Sequence, residues 1–119
     1  MSASDDASDC PFCRIVARDI QATVVHETPN SLAFRDVAPQ APTHVLVVPK
    51  RHVPTMTALA DASPEELAEV IRAIGDVSRL EGLEGGYRTV FNTGPDAQQS
   101  VFHAHVHVLG GRSMTWPPG

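Results

Sequence analysis

Three histidines, His103, His105 and His107, alternate with apolar residues in the run Ser100-Val101-Phe102-His103-Ala104-His105-Val106-His107-Val108-Leu109. In an extended chain every second side chain points to the same face, roughly 6.5–7 Å from the next. Such spacing lets three imidazoles surround one tetrahedral phosphate. The imidazole ring changes charge near neutral pH and serves as nucleophile, general acid or metal ligand. Phe102, Ala104, Val106 and Val108 are expected to face a core. Three polar rings on so apolar a strand are costly to bury without partners, which marks them as functional.

A second candidate is Cys10-Pro11-Phe12-Cys13, which holds both cysteines of the chain. A disulfide across two intervening residues closes almost no loop, and a reducing compartment would not preserve it. A redox motif needs a strand before it, whereas here an acidic tail precedes. Half of a metal site and two ordinary thiols remain as readings.

The elements that must position these residues can be read from patterning. A short helix is expected at Phe12–Ala17. Strands are expected at Thr23–Glu27, Ser31–Asp36, Thr43–Pro49, Tyr87–Asn92 and Val101–Leu109. Thr28-Pro29-Asn30 reads as a turn and 38–42 as a proline-rich loop. One long helix begins at the N-cap Ser63, with Pro64 in its first turn and Glu66 completing a capping box, and ends at Gly82. Leu67, Val70, Ile71, Ile74 and Val77 recur at helical spacing, so they are expected to form its buried face. Short links favour antiparallel pairing, and the class is α+β. Residues 1–9 read as a loose acidic tail, 10–119 as one domain, and the segment from about 110, ending Trp116-Pro117-Pro118-Gly119, as a C-terminal arm.

Composition narrows the function. With 119 residues, 42% of them hydrophobic, the chain can build one modest core. Nine basic against fourteen acidic residues give a net charge of −5 without a basic stripe, which argues against a nucleic-acid groove. No apolar run reaches membrane-spanning length and no signal peptide is visible, so no membrane partner and a cytoplasmic location are expected.

The block His103 to Leu109, preceded by Gln99-Ser100-Val101-Phe102, resembles the signature of the histidine triad (HIT) family. Asp36 to His44, Val48-Pro49-Lys50-Arg51-His52 and Gly85-Gly86-Tyr87-Arg88 resemble further blocks in the same order. The ending Gly110-Gly111-Arg112 to Trp116-Pro117-Pro118-Gly119 is similar to the Hint branch, the nucleotide-binding proteins.

The resemblance implies a five-stranded antiparallel sheet with one long and one short helix, joined to a second sheet across a homodimer. It also implies hydrolysis of purine nucleoside 5′-phosphoramidates to a nucleoside monophosphate and an amine. In that reading His105 is the nucleophile, its other ring nitrogen held by a backbone carbonyl near His103. His107 donates to a phosphate oxygen. Ser100 relays a proton to the leaving amine. Asn92 and Gln99 lie near the phosphate, and His44 supports the triad. Asp36 accepts both ribose hydroxyls. Phe12, Phe34, Val37 and Leu46, with Ile15 and Ile20, line the base slot. The same resemblance implies a structural zinc held by Cys10, Cys13, His52 and His103, so that His103 steadies His105 from behind. Gln98 departs from the family pattern, which places glycine there for a positive φ or for a backbone N–H near phosphate. Two rival functions are dinucleoside polyphosphate hydrolysis and a non-catalytic module that binds zinc and nucleotide. A nucleotidyl transferase would carry glutamine in place of His107.

Overall fold

The computed structural model describes residues 7–119. Ala7–Asp9, within the expected tail, makes an exposed 3-10 turn; residues 1–6 lie outside those described. Helix α1 (Pro11–Val16) follows, then strands β1 (Val24–Thr28), β2 (Ser31–Arg35) and β3 (Thr43–Pro49), helices α2 (Met56–Ala62) and α3 (Pro64–Leu80), and strands β4 (Tyr87–Val90) and β5 (Val106–Gly110). The strands form one antiparallel sheet in the order β1-β2-β3-β5-β4. This is the expected α+β class and strand count.

Period-two patterning divides β3 between two layers. Val45 and Val47 enter a core with Val106 and Val108 of β5 and with Leu59 of α2 and Val70, Ala73, Ile74 and Val77 of α3. Leu46 and Val48 face the opposite way, into a smaller cluster with Leu32 and Phe34 of β2 and Cys10, Phe12 and Ile15 of α1 and its cap. The sheet therefore lies between α2 and α3 on one side and α1 on the other. The first layer supplies most of the buried apolar area. The second packs against the rings of His103 and His105.

Several expectations need correction. The final strand starts at Val106, not Val101. Its pairing with β3 ends at Val47↔Val106. Before that point the chain leaves the ladder: Ala104 N–H bonds the Val53 carbonyl at 2.7 Å and His103 bonds the Pro49 carbonyl at 2.8 Å. Pro49 and Pro54 have no N–H to extend a ladder here, so the segment attaches to the loop after β3 instead. Phe102 is consequently half-buried and outside both cores, whereas Ala104, Val106 and Val108 lie inside.

Helix α2 was not anticipated. It is short, and its N-cap Thr55, whose hydroxyl accepts the Ala58 N–H, lies in a run with little amphipathic signal. In α3, Ser63 accepts the Glu66 N–H at 3.2 Å as expected, but the Glu66 carboxylate pairs with Arg51 at 2.7 and 3.0 Å, so only half of the capping box forms. Ile71 is exposed and Ala73 takes a core position. The buried stripe is narrower than hydrophobicity alone suggested.

Candidate active site and metal cluster

α1 is held over the sheet by its own sequence. Pro11 supplies a preset φ at the first helical position, and Cys10 caps the helix by accepting the Cys13 N–H on its sulfur at 3.3 Å. This turn aims both thiols at the segment before β5. Cys10 Sγ lies 3.4 Å from His103 Nδ1, and Cys13 Sγ lies 3.5 Å from the same nitrogen and 3.3 Å from His52 Nδ1. The two Nδ1 atoms are 3.2 Å apart. Tetrahedral zinc, with bonds of about 2.0 Å to nitrogen and about 2.3 Å to sulfur, sets nitrogen–nitrogen separations of about 3.3 Å and nitrogen–sulfur separations of about 3.5 Å. The four donor atoms already have that spacing.

The chemistry of the donor set agrees with the spacing. His103 Nε2–H donates to the Pro49 carbonyl, a backbone group that only accepts, so Nδ1 must present its lone pair to the cluster. His103 is fully buried; burial chiefly, with His52 and His105 nearby, lowers its pKa to about 4 and keeps it neutral. Burial and the neighbouring Cys10 push the Cys13 thiol up to about 11. Both thiols are free. These four residues can hold a metal ion.

On the other side of His103 the geometry changes purpose. His105 Nδ1–H donates to the His103 carbonyl at 2.7 Å, which leaves the Nε2 lone pair unprotonated. Burial lowers the pKa of His105, and the bond to that carbonyl opposes the shift. The ring stands edge-on to Phe12 at 5.1 Å and to His107 at 5.1 Å. Phe12 also meets His103 at 5.9 Å and Phe34 at 5.5 Å. One aromatic ring on α1 therefore braces two of the three histidines.

His107 lies in β5 opposite Leu46 of β3. Its Nδ1 is 2.9 Å from His44 Nε2. Burial first, then the adjacent His105 and His44, lower its pKa to about 4. His44 also faces Asp36, whose Oδ2 is 3.4 Å from the same Nε2. The other carboxylate oxygen accepts the Ala38 N–H at 2.8 Å. Although Asp36, His44 and His107 lie close enough to suggest metal ligands, His44 Nδ1 accepts the Gln40 backbone N–H at 3.0 Å. The neutral ring then carries its proton on Nε2, the atom facing the other two groups, and offers no lone pair there.

The remaining expected site residues occupy different surroundings. Phe12, Ile15, Phe34 and Leu46 are buried together beneath the histidines, whereas Ile20 is exposed and Val37 fully so, beside Asp36. A groove of about 600 Å³ lined by Gln21, Ala22, Thr23, Arg35, Asp36 and Val37 opens there. Asn92 Nδ2 donates to the Ala97 carbonyl at 2.7 Å. Buried Gln99 donates to the Pro54 and Val101 carbonyls at 2.7 and 3.1 Å and accepts the Gly94 N–H at 2.9 Å. Both amides thus build the loop that leads to the exposed Ser100. Gln98 adopts the left-handed conformation, φ 64° and ψ 33°, that glycine would occupy without strain. The bond from His105 to the His103 carbonyl is the one the resemblance implied, whereas the Pro49 carbonyl and the Gln40 N–H went unanticipated. Both are backbone groups, to which residue type gives no signal.

Comparison with known proteins fits this geometry. The HIT domain family profile matches residues 17–114. An uncharacterized HIT-like protein of Synechococcus elongatus is 45% identical over 113 residues, which cover 95% of this chain and 99% of that protein. The 14 kDa zinc-binding protein of Zea mays is 49% identical over 117 residues, 96% of this chain and 91% of its own. The crystal structure of a HIT family hydrolase from Legionella pneumophila Philadelphia 1 superimposes with a TM-score of 0.88 at 50% identity, covering 92% of this chain and 99% of that one. The chain belongs to the HIT domain family. Its sheet, helices and triad are those of a HIT fold related to hydrolases and nucleotide-binding proteins.

Proposed function

We propose that this protein hydrolyses purine nucleoside 5′-phosphoramidates to nucleoside monophosphate and amine through a nucleotidyl-histidine intermediate. The observation that carries the reading is the bond from His105 Nδ1 to the His103 carbonyl, which leaves Nε2 as an unprotonated nucleophile beside His107. In the first step Nε2 of His105 attacks the α-phosphorus as the phosphorus–nitrogen bond of the substrate breaks. The departing amine takes a proton relayed through Ser100. In the second step water attacks phosphorus, the bond to His105 breaks, and the nucleotide leaves. One difficult displacement becomes two easier ones. His107 donates to a non-bridging oxygen, where charge accumulates in the transition state. Asp36 accepts the ribose hydroxyls, and Phe12, Phe34 and Leu46 form the apolar slot for the base, with Val37 at its rim. Asn92 and Gln99 shape the phosphate side of the loop.

A zinc ion on Cys10, Cys13, His52 and His103 would be structural, cross-linking α1 to the segment that carries His105. The Zea mays relative is described as zinc-binding, which supports this assignment. Strand β4 is paired on one side only, and Tyr87, Phe91 and Trp116 expose apolar surface, which supports a homodimer. No described helix is long and apolar enough to cross a membrane; we place the protein in the cytoplasm.

The test is turnover of adenosine 5′-phosphoramidate to AMP, with mass spectrometry of acid-quenched protein. The expected results are a transient adduct on His105 and, for His105→Ala, a rate lower by roughly three orders of magnitude or more. Wild-type protein without turnover, binding nucleotide all the same, would leave the non-catalytic module as the correct reading.

A further inference from the structure

Besides the triad, one side chain links groups that a nucleotide would touch separately. His44, the second residue of β3, is almost fully buried and has both ring nitrogens engaged. Its Nδ1 accepts the Gln40 backbone N–H at 3.0 Å. A peptide N–H cannot accept, so this bond fixes the tautomer: neutral His44 keeps its proton on Nε2. That proton points to His107 Nδ1 at 2.9 Å, and the Asp36 carboxylate is a charged neighbour, its Oδ2 3.4 Å from the same nitrogen. The shorter contact makes His107 Nδ1 an acceptor, and the His107 proton must then reside on Nε2.

We propose that His44 is a positioning residue that fixes His107 as an Nε2–H donor and couples the Asp36 end of the site to the phosphate end. The proposal rests on the functional reading above, in which Asp36 meets ribose and His107 meets phosphate. The coupling follows from the Asp36 charge beside that N–H. Asp36 Oδ1 is already engaged by the Ala38 N–H at 2.8 Å. When a vicinal diol donates to Asp36, part of the Oδ2 charge is neutralised, its pull on the His44 N–H weakens, and the bond to His107 tightens. Polarisation along the chain of bonds then strengthens His107 Nε2–H as a donor. A ribose diol thereby prepares the phosphate site, while a sugar without hydroxyls leaves the Asp36 charge pulling on that N–H.

The tautomer can be read directly. In ¹⁵N–¹H imidazole spectra of the full-length protein, His107 is expected as the Nε2–H tautomer. His44→Phe removes the donor, and the preference should disappear. His44→Asn preserves an acceptor for the Gln40 N–H but falls short of His107, so it should behave like His44→Phe and guards against a folding defect. His44→Gln places an N–H near the position of Nε2 and should restore the tautomer.

Binding gives the second readout, by calorimetry with adenosine, AMP, 2′,3′-dideoxyadenosine and its 5′-monophosphate. His44→Phe should lower the AMP-to-adenosine affinity ratio about tenfold, the value of one hydrogen bond to a charged group. In wild type the phosphate should raise affinity several-fold more on the diol than on the dideoxy sugar, and the variant should erase that difference. Wild-type His107 found as Nδ1–H, or a tautomer and affinity ratio unchanged in both His44→Phe and His44→Asn, would overturn the proposal. Equal wild-type affinity for AMP and adenosine would instead remove the phosphate reading and the coupling together, while the spectra still decide whether His44 sets the proton of His107.

Discussion

Two histidine clusters stand back to back in this protein, sharing the short segment from His103 to His105, and they differ in where their protons lie. Around α1, the backbone carbonyl of Pro49 takes the Nε2 proton of His103, leaving a lone pair to converge with Cys10, Cys13 and His52. Around β3, the backbone N–H of Gln40 takes the Nδ1 lone pair of His44, and a proton points inward instead. The same side chain is made a ligand in one place and a donor in the other by a single main-chain group. Proximity of ring nitrogens alone would have assigned metal to both. A backbone acceptor leaves a histidine presenting a lone pair at its other nitrogen, and a backbone donor leaves it presenting an N–H there.

The comparison can be broken most severely at His103, the residue common to both regions. His103→Ala should remove the metal and slow turnover at least a hundredfold, because the carbonyl that orients His105 loses its anchored side chain. Cys13→Ala should also bind less than about 0.1 equivalent of metal by elemental analysis, but should reduce turnover less than His103→Ala does. Equal rates in the two variants would mean that the metal, and not the anchoring of His103, governs the nucleophile. Both variants should melt about 10 °C or more below wild type, since binding a structural ion is coupled to folding.

A smaller effect sharpens the proton assignment. Burial chiefly lowers the pKa of His107 to about 4, below the ordinary 6.5. The unfolded chain therefore binds a proton that the folded one refuses. This contribution to stability is complete above about pH 6.5 and is lost as pH falls toward 4. Thermal melts across that window should show a shallower acid decline in His107→Gln than in wild type. An equal decline would move the acid sensitivity to other groups.

The smallest effect concerns the loop before Ser100. Gln98 holds φ at 64°, where a side chain other than glycine pays about 1 kcal/mol. Gln98→Gly should raise the melting temperature by a few degrees and increase turnover by freeing the approach to the leaving group. A lower rate with higher stability would show that the Gln98 carboxamide assists the reaction.

Much of this was legible before any coordinates. The continuous apolar run Val45–Val48 and the Ser63 to Val77 pattern placed the central strand and the long helix, because apolar patterning records what meets a core. Where neighbours override local pattern, the reading slipped: the start of β5, the short α2, the exposure of Ile71. Resemblance supplied the metal set, since nothing in the spacing of Cys10, Cys13, His52 and His103 along the chain says that they meet. The structure then brought Asp36, His44 and His107 together, and engaged Asn92 and Gln99 in the loop.

What the sequence determined by itself is the inventory: which rings are present, which side of the sheet they share, and which apolar residues must hide beside them. Residue type and period carry that information. The tertiary structure alone decided the direction of the protons on His103 and His44, because the Pro49 carbonyl and the Gln40 N–H are main-chain groups common to almost every residue. Only the path of the folded chain puts them against a particular ring nitrogen.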